Sequence, residues 1–365
     1  MKIAVGLSGG VDSTVAAKIL IDQGHDVYGV TLQLLNGENR TGDDSAAKKI
    51  ITEAAQVAQR LGIPHCMYDF RAEFKKLVID YFIDGYRRGE TPNPCYFCNR
   101  RIKFGLFLDR ALRDGFDAVA TGHYAKIFRD AAGRFGLAQG ADLQKDQSYF
   151  LALLDQRRLS CVLFPLATLT KSEVRRIAEQ AGLVNAHKAD SQDICFAPGG
   201  DYTAIIEAAA PGVFTAGSFV DTDGNKIGTH LGLHRYTIGQ RRGLGLPLGY
   251  PAYVVEKSAA GNRVIVGAVE DLAAAACTVR EVNWIAAAPA QPFNAEVKTR
   301  YRQQMKPARI EPAADGSEVR IVFDEPERAV ARGQAAVFYR SGCVLGGGVI
   351  SSVIPVKPHR YTITM

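Results

Sequence analysis

The feature that most constrains the fold of this chain is a glycine-rich turn that joins an apolar run to a helical pattern. Residues 3–7 have the β-branched composition of a buried strand, and residues 11–23 have the pattern of a helix. The turn between them reads Gly6-Leu7-Ser8-Gly9-Gly10-Val11-Asp12-Ser13. A strand that passes through such a turn directly into a helix is the repeating unit of an α/β domain.

The same turn has the chemistry of an anion site. Its glycines let the backbone approach a ligand closely, and the helix N-terminus that follows presents free N–H groups. Ser8 and Ser13 add hydroxyl donors, and Asp12 could hold Mg²⁺ on bound phosphates. The turn lacks both the Gly-Lys-Ser/Thr ending of a Walker A loop and the glycine spacing of a dinucleotide-binding turn. A tight turn without a ligand is the alternative interpretation.

Strand and helix patterns alternate through the first half of the chain. Strands are predicted at 3–7, 27–32, 63–70 and 118–121, and helices at 11–23, 45–61, 98–112 and 168–182. In the last helix Thr170 and Glu173 have the spacing of a capping box, and Gly182 is placed to end it. The alternation predicts a doubly wound parallel sheet with right-handed crossovers. We assign residues 1–204 to this α/β domain.

The second half of the chain has a different texture. Beyond a short helix pattern at 201–210, glycine and proline become frequent and helical periodicity is weak. Short strands are predicted at 252–256, 264–266, 294–300, 319–323 and 334–339. This spacing predicts a small central domain over residues 205–279 and a C-terminal β-barrel over residues 280–365.

The composition excludes several classes of protein. Apolar residues make up 47% and charged residues 22% of the 365 residues, as in ordinary globular domains. No apolar run reaches the roughly 18 residues of a membrane span, and the N-terminus lacks the apolar stretch of a signal peptide. We therefore expect a cytoplasmic protein that does not bind a membrane. The net charge of +6 permits a polyanionic partner without requiring one.

The cysteines point to chemistry rather than to a disulfide scaffold. There are seven, an odd number, at positions 66, 95, 98, 161, 195, 277 and 343. Only Cys95 and Cys98 are close enough in sequence to form a motif. Cys98 leads into a helical pattern beside Arg100, Arg101 and Lys103, and both features are expected to lower the pKa of its thiol. A closed zinc site needs four ligands, and the chain has no second C-x-x-C.

A basic segment near the C-terminus has the composition of a nucleic-acid contact. Residues 298–309 carry five positive charges and no acidic residue. Tyr301 lies among these charges and could stack on a base while the arginines meet phosphates. A solvated strand face is the alternative interpretation of such a run.

Several motifs together resemble a known family. Ser-Gly-Gly-Val-Asp-Ser at residues 8–13 resembles the pyrophosphate loop of the PP-loop enzymes, the adenine-nucleotide α-hydrolases. The whole chain resembles the tRNA-specific 2-thiouridylase family of bacteria and organelles. The matching motifs are Pro92-Asn93-Pro94, Cys98-Asn99, Ile102-Lys103-Phe104, residues 145–151, residues 191–196, residues 236–245 and Arg300-Tyr301-Arg302.

The resemblance implies the cofactor and the chemistry. ATP is split between its α- and β-phosphates, with Gly6 to Ser13 on the phosphates, and with Leu32 and Gly122 flanking the adenine and ribose. Adenylation of O2 of a wobble uridine in tRNA makes AMP a leaving group. A persulfide that matches Cys195 then delivers sulfur, and a second cysteine that matches Cys98 releases it as sulfide or forms a disulfide. Both cysteines are expected in loops of the α/β domain.

One position departs from the family pattern. Where the family commonly has an aspartate after Asn-Pro, this chain has Cys95. An acid–base role there would pass to a thiol or disappear. Alternatively, Cys95, Cys98 and Cys195 could hold an iron–sulfur cluster with one iron that the protein does not ligate. Such an iron could bind the transferable sulfide.

The resemblance also implies the partners, which are tRNA and a sulfur-donor protein or free sulfide. The target base must leave its stack to be modified. The implied tRNA contacts are Asn93, Pro94, Cys95, His123, Lys145, Asp146, Gln147, Arg300, Tyr301 and Gln334.

Two functions of other classes are consistent with parts of the sequence. A PP-loop ligase or amidotransferase that acts on a small molecule would explain the loop at residues 8–13, but it would leave the cysteines unused. An RNA-binding protein with a metal-stabilised C-x-x-C would explain the basic segment, but it would leave the loop unexplained.

Overall fold

The fold is described from a computed structural model that covers residues 1–35, 45–183, 185–186, 188, 194–197 and 201–357. A five-stranded parallel sheet forms the centre of its N-terminal half. The strands are β1 (Lys2–Gly6), β2 (Asp26–Gln33), β3 (His65–Asp69), β4 (Ala118–Ala120) and, after a hairpin described below, β7 (Val162–Leu163). Their order is β3-β2-β1-β4-β7. The order reverses between β1 and β4, and ligands of such sheets bind beyond the carboxyl ends of the strands at this point.

Helices cover both faces of this sheet. Helix α1 (Val11–Asp22) and helix α2 (Ser45–Leu61) connect its first three strands. Farther along the chain, α8 (Lys171–Gln180) packs against α1. The predicted capping box of α8 is confirmed, because the Thr170 hydroxyl accepts from the Glu173 N–H while the Glu173 carboxylate accepts from the Thr170 N–H. The predicted doubly wound α/β fold is confirmed.

The connection from β3 to β4 is a chain of short helices rather than one helix over residues 98–112. It comprises α3 (Arg71–Phe74), a π-helix (Lys75–Ile79), α4 (Asp80–Arg87), α5 (Pro94–Cys98), a second π-helix (Asn99–Phe107) and α6 (Leu108–Arg113). The helix that contains Cys98 begins at Pro94, because Asn93 caps it and proline favours the first helical position. Buried aromatic side chains form its core, among them Phe74, Phe82, Phe97, Phe104 and Phe107.

Two further short α-helices lie within the described residues. They are α7 (Gln156–Ser160) and α9 (Tyr202–Ala209). A four-stranded sheet follows α9, with the order β10-β11-β8-β9. Its strands are β8 (Gly217–Val220), β9 (Lys226–His230), β10 (Tyr253–Ser258) and β11 (Arg263–Gly267).

The predicted C-terminal β-barrel is confirmed. Its strands are β12 (Ala273–Trp284), β13 (Phe293–Lys298), β14 (Lys306–Pro312), β15 (Glu318–Arg328), β16 (Ala335–Arg340) and β17 (Cys343–Pro355). Pairing of β12 with both β15 and β17 closes the six strands into a barrel. The domain boundary predicted near residue 280 lies inside β12.

The N-terminal half also contributes to the barrel sheet. A hairpin of β5 (Ala125–Arg129) and β6 (Phe135–Gln139) extends this sheet, because β6 pairs with β17 at Cys343 and Val344. The part of the chain that the structure describes has no helix long and apolar enough to cross a membrane.

Candidate active site

The glycine-rich turn leaves β1 and enters α1 at the reversal point of the sheet. Gly9 has a φ of +70°, which favours glycine, and Gly10 precedes the helix in an extended conformation. The Ser13 hydroxyl donates to the Gly10 carbonyl at 3.0 Å and accepts from the Ser8 N–H at 3.3 Å. The loop is therefore cross-braced by its own hydroxyl groups, and the first N–H groups of α1 lie at its mouth.

The Asp12 carboxylate is held by two side chains. Lys171 Nζ lies 2.7 Å and 2.8 Å from its two oxygens, and the Tyr124 hydroxyl donates to it at 2.7 Å. The Asp12 side chain is one-third exposed, so a divalent cation could still reach it. A carboxylate oxygen at the mouth of a phosphate loop is a suitable ligand for Mg²⁺. A cation bound there would compete with Lys171 for the Asp12 oxygens.

Gly122 brings the end of β4 onto the start of α1. A Cβ atom at this position would lie 2.6 Å from the Asp12 carbonyl carbon and 2.7 Å from the Ser13 nitrogen, so only glycine fits. Leu32, at the end of β2, is partly buried. The structure thus places both residues of the predicted adenosine site at carboxyl ends of strands.

His123 follows Gly122 and is buried. Its Nδ1 lies 2.7 Å from the Thr121 hydroxyl, and its ring packs between Phe104 and Phe164. Burial, and secondarily the charge of Lys103, hold the pKa of His123 well below its usual value. The imidazole is neutral at physiological pH and forms part of the wall next to the nucleotide loop.

Cys98 lies in a helix and not in the loop expected for it. The Asn93 side chain accepts from the Tyr96 N–H at 3.2 Å and caps α5. Cys95 is partly exposed, whereas Cys98 is buried at 7% exposure. Cys195 lies in a described segment of four residues, and residues 191–193 of its predicted motif lie outside the described residues.

The three cysteines share one site, as their mutual charge effects show. Burial raises the pKa of Cys195 to about 12, with the charges of Cys98 and Cys95 as the next causes. Such effects act over short distances in a protein interior. Cys195 has exposed surface, yet enough protein atoms surround its sulfur to disfavour the thiolate. Residues 97 positions apart in sequence are thus brought together.

The lowered thiol pKa predicted for Cys98 is wrong. Burial raises the pKa of Cys98 to about 11, and the opposing charge of Lys103 only partly offsets it. The helix also begins four residues before Cys98, so the sulfur is not at its N-terminus. Desolvation of the thiolate therefore raises the pKa of Cys98 by more than the neighbouring positive charges lower it, and the helix N-terminus is too far away to contribute.

The thiols as placed here do not form a metal-ligand set. Within the described residues, no group of three His, Cys, Asp or Glu side chains is arranged to hold a metal ion. The iron–sulfur alternative for Cys95, Cys98 and Cys195 stays a prediction. The described positions of the three thiols do not fit a shared metal ion.

Of the three residues at 145–147, Asp146 and Gln147 accept hydrogen bonds from backbone N–H groups. Asp146 is buried and accepts from the Ser148 N–H and hydroxyl at 3.1 Å and 2.9 Å. The Gln147 side chain accepts from the Tyr124 N–H at 3.1 Å. The partly exposed Lys145 is the residue of the three whose side chain suits an RNA contact.

Arg300 and Tyr301 have different environments. The Arg300 guanidinium donates to the carbonyls of Ile238 and Ala329 at 2.8 Å and 2.6 Å, and so joins the segment between β9 and β10 to the barrel. Tyr301 is partly exposed, with its ring centroid 4.5 Å from that of Phe150. The Phe150 carbonyl accepts from the Asn99 side chain, next to Cys98.

The segment that leads to the cysteines is held by the other two domains. The Gln334 amide donates to the Thr91 carbonyl at 2.7 Å, and the Thr91 N–H donates to the Arg332 carbonyl at 2.7 Å. Lys257 Nζ donates to the Glu90 carbonyl at 2.9 Å. Sequence reasoning missed Lys257 and Glu90, and also Lys171, because no local pattern marks a contact between distant segments.

Family models match most of the chain. The models described as tRNA methyl transferase HUP domain, tRNA methyl transferase PRC-barrel domain and Aminomethyltransferase beta-barrel domain match residues 1–199, 211–268 and 274–350. A solved 4-thiouridine synthetase–RNA complex with bound ATP covers 58% of this chain and 50% of its own at 19% identity and a TM-score of 0.33, a likeness too weak to carry an argument.

Curated relatives match almost the full length. The tRNA-specific 2-thiouridylase MnmA of Treponema denticola is 54% identical over 97% of this chain and 98% of its own. That of Chloroflexus aurantiacus is 46% identical over 96% of this chain and 98% of its own. The chain therefore belongs to the tRNA-specific 2-thiouridylase MnmA family.

Proposed function

We propose that this chain uses ATP to adenylate O2 of a uridine in tRNA and then replaces that oxygen with sulfur that Cys195 carries as a persulfide and Cys98 helps to release. The observation that carries the proposal is the helical run from Pro94 to Phe107. It begins at the cysteines and ends at the nucleotide loop, where a Cβ atom at Gly6 would lie 3.5 Å from the Phe107 ring. One continuous helical segment thus joins the proposed sulfur site to the proposed phosphate site.

The nucleotide loop serves the first half of the reaction. The N–H groups at the start of α1 and the hydroxyls of Ser8 and Ser13 bind the phosphates that leave as pyrophosphate. Mg²⁺, when bound at Asp12, screens the phosphate charge. Uridine O2 attacks the α-phosphate, the bond between the α- and β-phosphates breaks, and AMP on O2 becomes a good leaving group.

The cysteines serve the second half. A sulfur-donor protein, or free sulfide with an oxidant, leaves a persulfide on Cys195. Cys98 loses its proton and attacks the inner sulfur, which forms a Cys98–Cys195 disulfide and releases hydrosulfide. Hydrosulfide attacks C2, the C2–O bond breaks, and AMP leaves with the oxygen. A dithiol reductant restores the two thiols. In the other order, the outer sulfur attacks C2 before Cys98 attacks the inner sulfur.

The tRNA contacts that we propose lie next to the helix of Cys98 and on the central domain. Tyr301 and Phe150 offer an aromatic surface next to the helix of Cys98, on which an extruded base could stack. Arg241 and Arg242 on the central domain are exposed and suit phosphate contacts. We place the reaction in the cytoplasm, where tRNA is available and free thiols persist.

The iron–sulfur alternative differs from the persulfide route in one measurable quantity. It requires iron and acid-labile sulfide in protein that is purified without oxygen. A colourless, iron-free protein that thiolates tRNA fully excludes it. A protein that loses thiolation together with its iron would favour it.

One assay tests the function itself. The protein is incubated with ATP, Mg²⁺, a sulfide source and tRNA, and AMP, pyrophosphate and 2-thiouridine are measured. We expect all three products to depend on tRNA. AMP formation that does not respond to tRNA would favour a ligase or amidotransferase that acts on a small molecule. The absence of ATP turnover under any condition would favour an RNA-binding protein.

A further inference from the structure

The π-helix after Cys98 changes which side chains face the cysteines. In an α-helix, residues five apart lie about 140° apart around the axis, because one turn takes 3.6 residues. In the π-helix Asn99–Phe107 each turn is longer, since its hydrogen bonds join residues five apart. Lys103 follows Cys98 by five residues, so it lies much closer to the side of Cys98 than it would in an α-helix.

Lys103 has an unusual environment for a partly buried lysine. It makes no hydrogen bond or ion pair with any residue that the structure describes. The neighbouring Arg101, by contrast, lies over the ring of Phe97 at 4.8 Å and donates to the Leu77 carbonyl. The ammonium of Lys103 is therefore available to a ligand at the cysteine site.

The charge of Lys103 acts on the whole site. Burial raises the pKa of Cys95, Cys98 and Cys195, and in each case Lys103 opposes this effect. Burial lowers the pKa of His123, and Lys103 adds to that effect. The charge of Lys103 thus acts on both the sulfur site and the wall of the nucleotide site.

We propose that Lys103 is the counter-ion that holds the transferred sulfur as an anion between Cys195 and Cys98. The inference rests on the proposed function. It follows from a partly buried ammonium without a described partner, five residues after Cys98 on the π-helix, in a site that otherwise disfavours negative charge. Both hydrosulfide and the terminal sulfur of a persulfide react as anions, so their transfer requires a positive charge at this place.

Gly105 maintains the register that places Lys103 there. A Cβ atom at Gly105 would lie 2.9 Å from the Arg100 carbonyl oxygen, five residues earlier. Alanine at this position would therefore clash with the backbone of the π-helix, and it favours the α-helical register. In that register Lys103 rotates away from Cys98.

The test separates the two halves of the reaction in single-turnover experiments with four variants. They are Lys103→Met, Lys103→Arg, Gly105→Ala and, as a matched control, Lys126→Met on the exposed side of β5. Pyrophosphate release reports adenylation, and 2-thiouridine reports sulfur transfer. We expect Lys103→Met to release pyrophosphate within about twofold of the wild type and to form 2-thiouridine about 100-fold more slowly.

The other two variants at the site test whether the effect depends on the charge of residue 103 and on the π-helical register. Lys103→Arg keeps the charge and should retain transfer within about tenfold, and folded Gly105→Ala should show the defect of Lys103→Met. If Gly105→Ala does not fold, the two variants at 103 decide. Full transfer by Lys103→Met, equal loss in Lys103→Arg and Lys103→Met, or loss of pyrophosphate release in Lys103→Met would each overturn the inference. A wild-type protein that forms no 2-thiouridine would instead contradict the proposed function.

Discussion

The ammonium of Lys171 lies 2.7 Å and 2.8 Å from the two carboxylate oxygens of Asp12, at the mouth of the nucleotide loop. The lysine side chain is 11% exposed and the aspartate side chain 33%, so solvent reaches this ion pair mainly from the aspartate side. A divalent cation that binds Asp12 approaches from that side and competes with Lys171 for the same oxygens.

This competition predicts opposite effects of two substitutions. Asp12→Asn removes the charged ligand and should raise the Mg²⁺ concentration needed for half-maximal pyrophosphate release by about tenfold or more. Lys171→Met removes the competitor and should lower it. Pyrophosphate release, measured over a range of Mg²⁺ concentrations at saturating ATP, checks both. An unchanged or lower Mg²⁺ requirement in Asp12→Asn would show that Asp12 does not bind the cation, and a higher requirement in Lys171→Met would contradict the competition.

Arg300 is predicted to stabilise the fold more than it binds tRNA. Arg300→Met leaves the carbonyls of Ile238 and Ala329 without their donor, at a cost on the order of 3 kcal/mol of the free energy of unfolding. The exposed Arg242 serves as the comparison. Arg242→Met should leave the melting temperature unchanged. It should reduce the slope of log K for tRNA binding against the logarithm of the salt concentration by about 1, because one phosphate contact is lost. An unchanged melting temperature for Arg300→Met would refute this assignment.

Lys257 predicts a pH dependence of stability. Burial lowers its pKa from 10.5 to about 7, while Glu90 raises it and Arg332 lowers it by smaller amounts. Between pH 7 and 10.5 the lysine is protonated in the unfolded chain and neutral in the folded one. The free energy of unfolding should therefore rise with pH over this range, by up to about 1.4 kcal/mol per pH unit. Below pH 7 this contribution is constant.

The variant Lys257→Met isolates that contribution. Melting temperatures of wild type and variant are compared at several pH values between 6 and 10, so that all other titrating groups cancel. The wild type should gain stability relative to the variant as the pH rises above 7. Parallel curves over the whole range would mean that Lys257 is not neutralised by burial.

Cys95→Asp distinguishes the two sulfur routes with one substitution. It restores the residue that the family commonly has, and in the persulfide route it should retain at least about the wild-type rate of 2-thiouridine formation. If the cysteines hold a cluster, the same substitution removes a thiolate ligand and should abolish both bound iron and thiolation. Cys95→Ala, which supplies neither an acid nor a ligand, is the control.

The features of the fold that depend on local sequence patterns were predicted from the sequence. Alternating strands and helices, the capping box at Thr170 and the turn at Gly9 each depend on residues within a few positions of one another, and the structure has all three. The short strand patterns after residue 250 likewise predicted a barrel. The strands β12, β14 and β17 were not predicted, because glycine, alanine and proline interrupt their apolar alternation.

The parts that depend on distant contacts were not predictable in this way. The pairing of Asp12 with Lys171 joins residues 159 positions apart. The pKa of Cys98 follows from how much chain packs over it, and neighbouring arginines in the sequence do not report that packing. The π-helical register at Asn99–Phe107 depends on Gly105, which as a single helical glycine gives no distinctive signal.

The transfer of labelled sulfur from Cys195 to tRNA tests the account most directly. The protein is loaded with a ³⁴S persulfide, freed of donor and mixed with ATP, Mg²⁺ and tRNA, and the nucleosides are analysed by mass spectrometry. Cys195→Ser and Cys98→Ser are compared with Cys66→Ser, which changes an exposed cysteine remote in sequence from the other two. The account predicts ³⁴S in 2-thiouridine for the wild type and Cys66→Ser, and none for the other two. Undiminished labelling by Cys195→Ser, or AMP formation by the wild type without label in the tRNA, would contradict it.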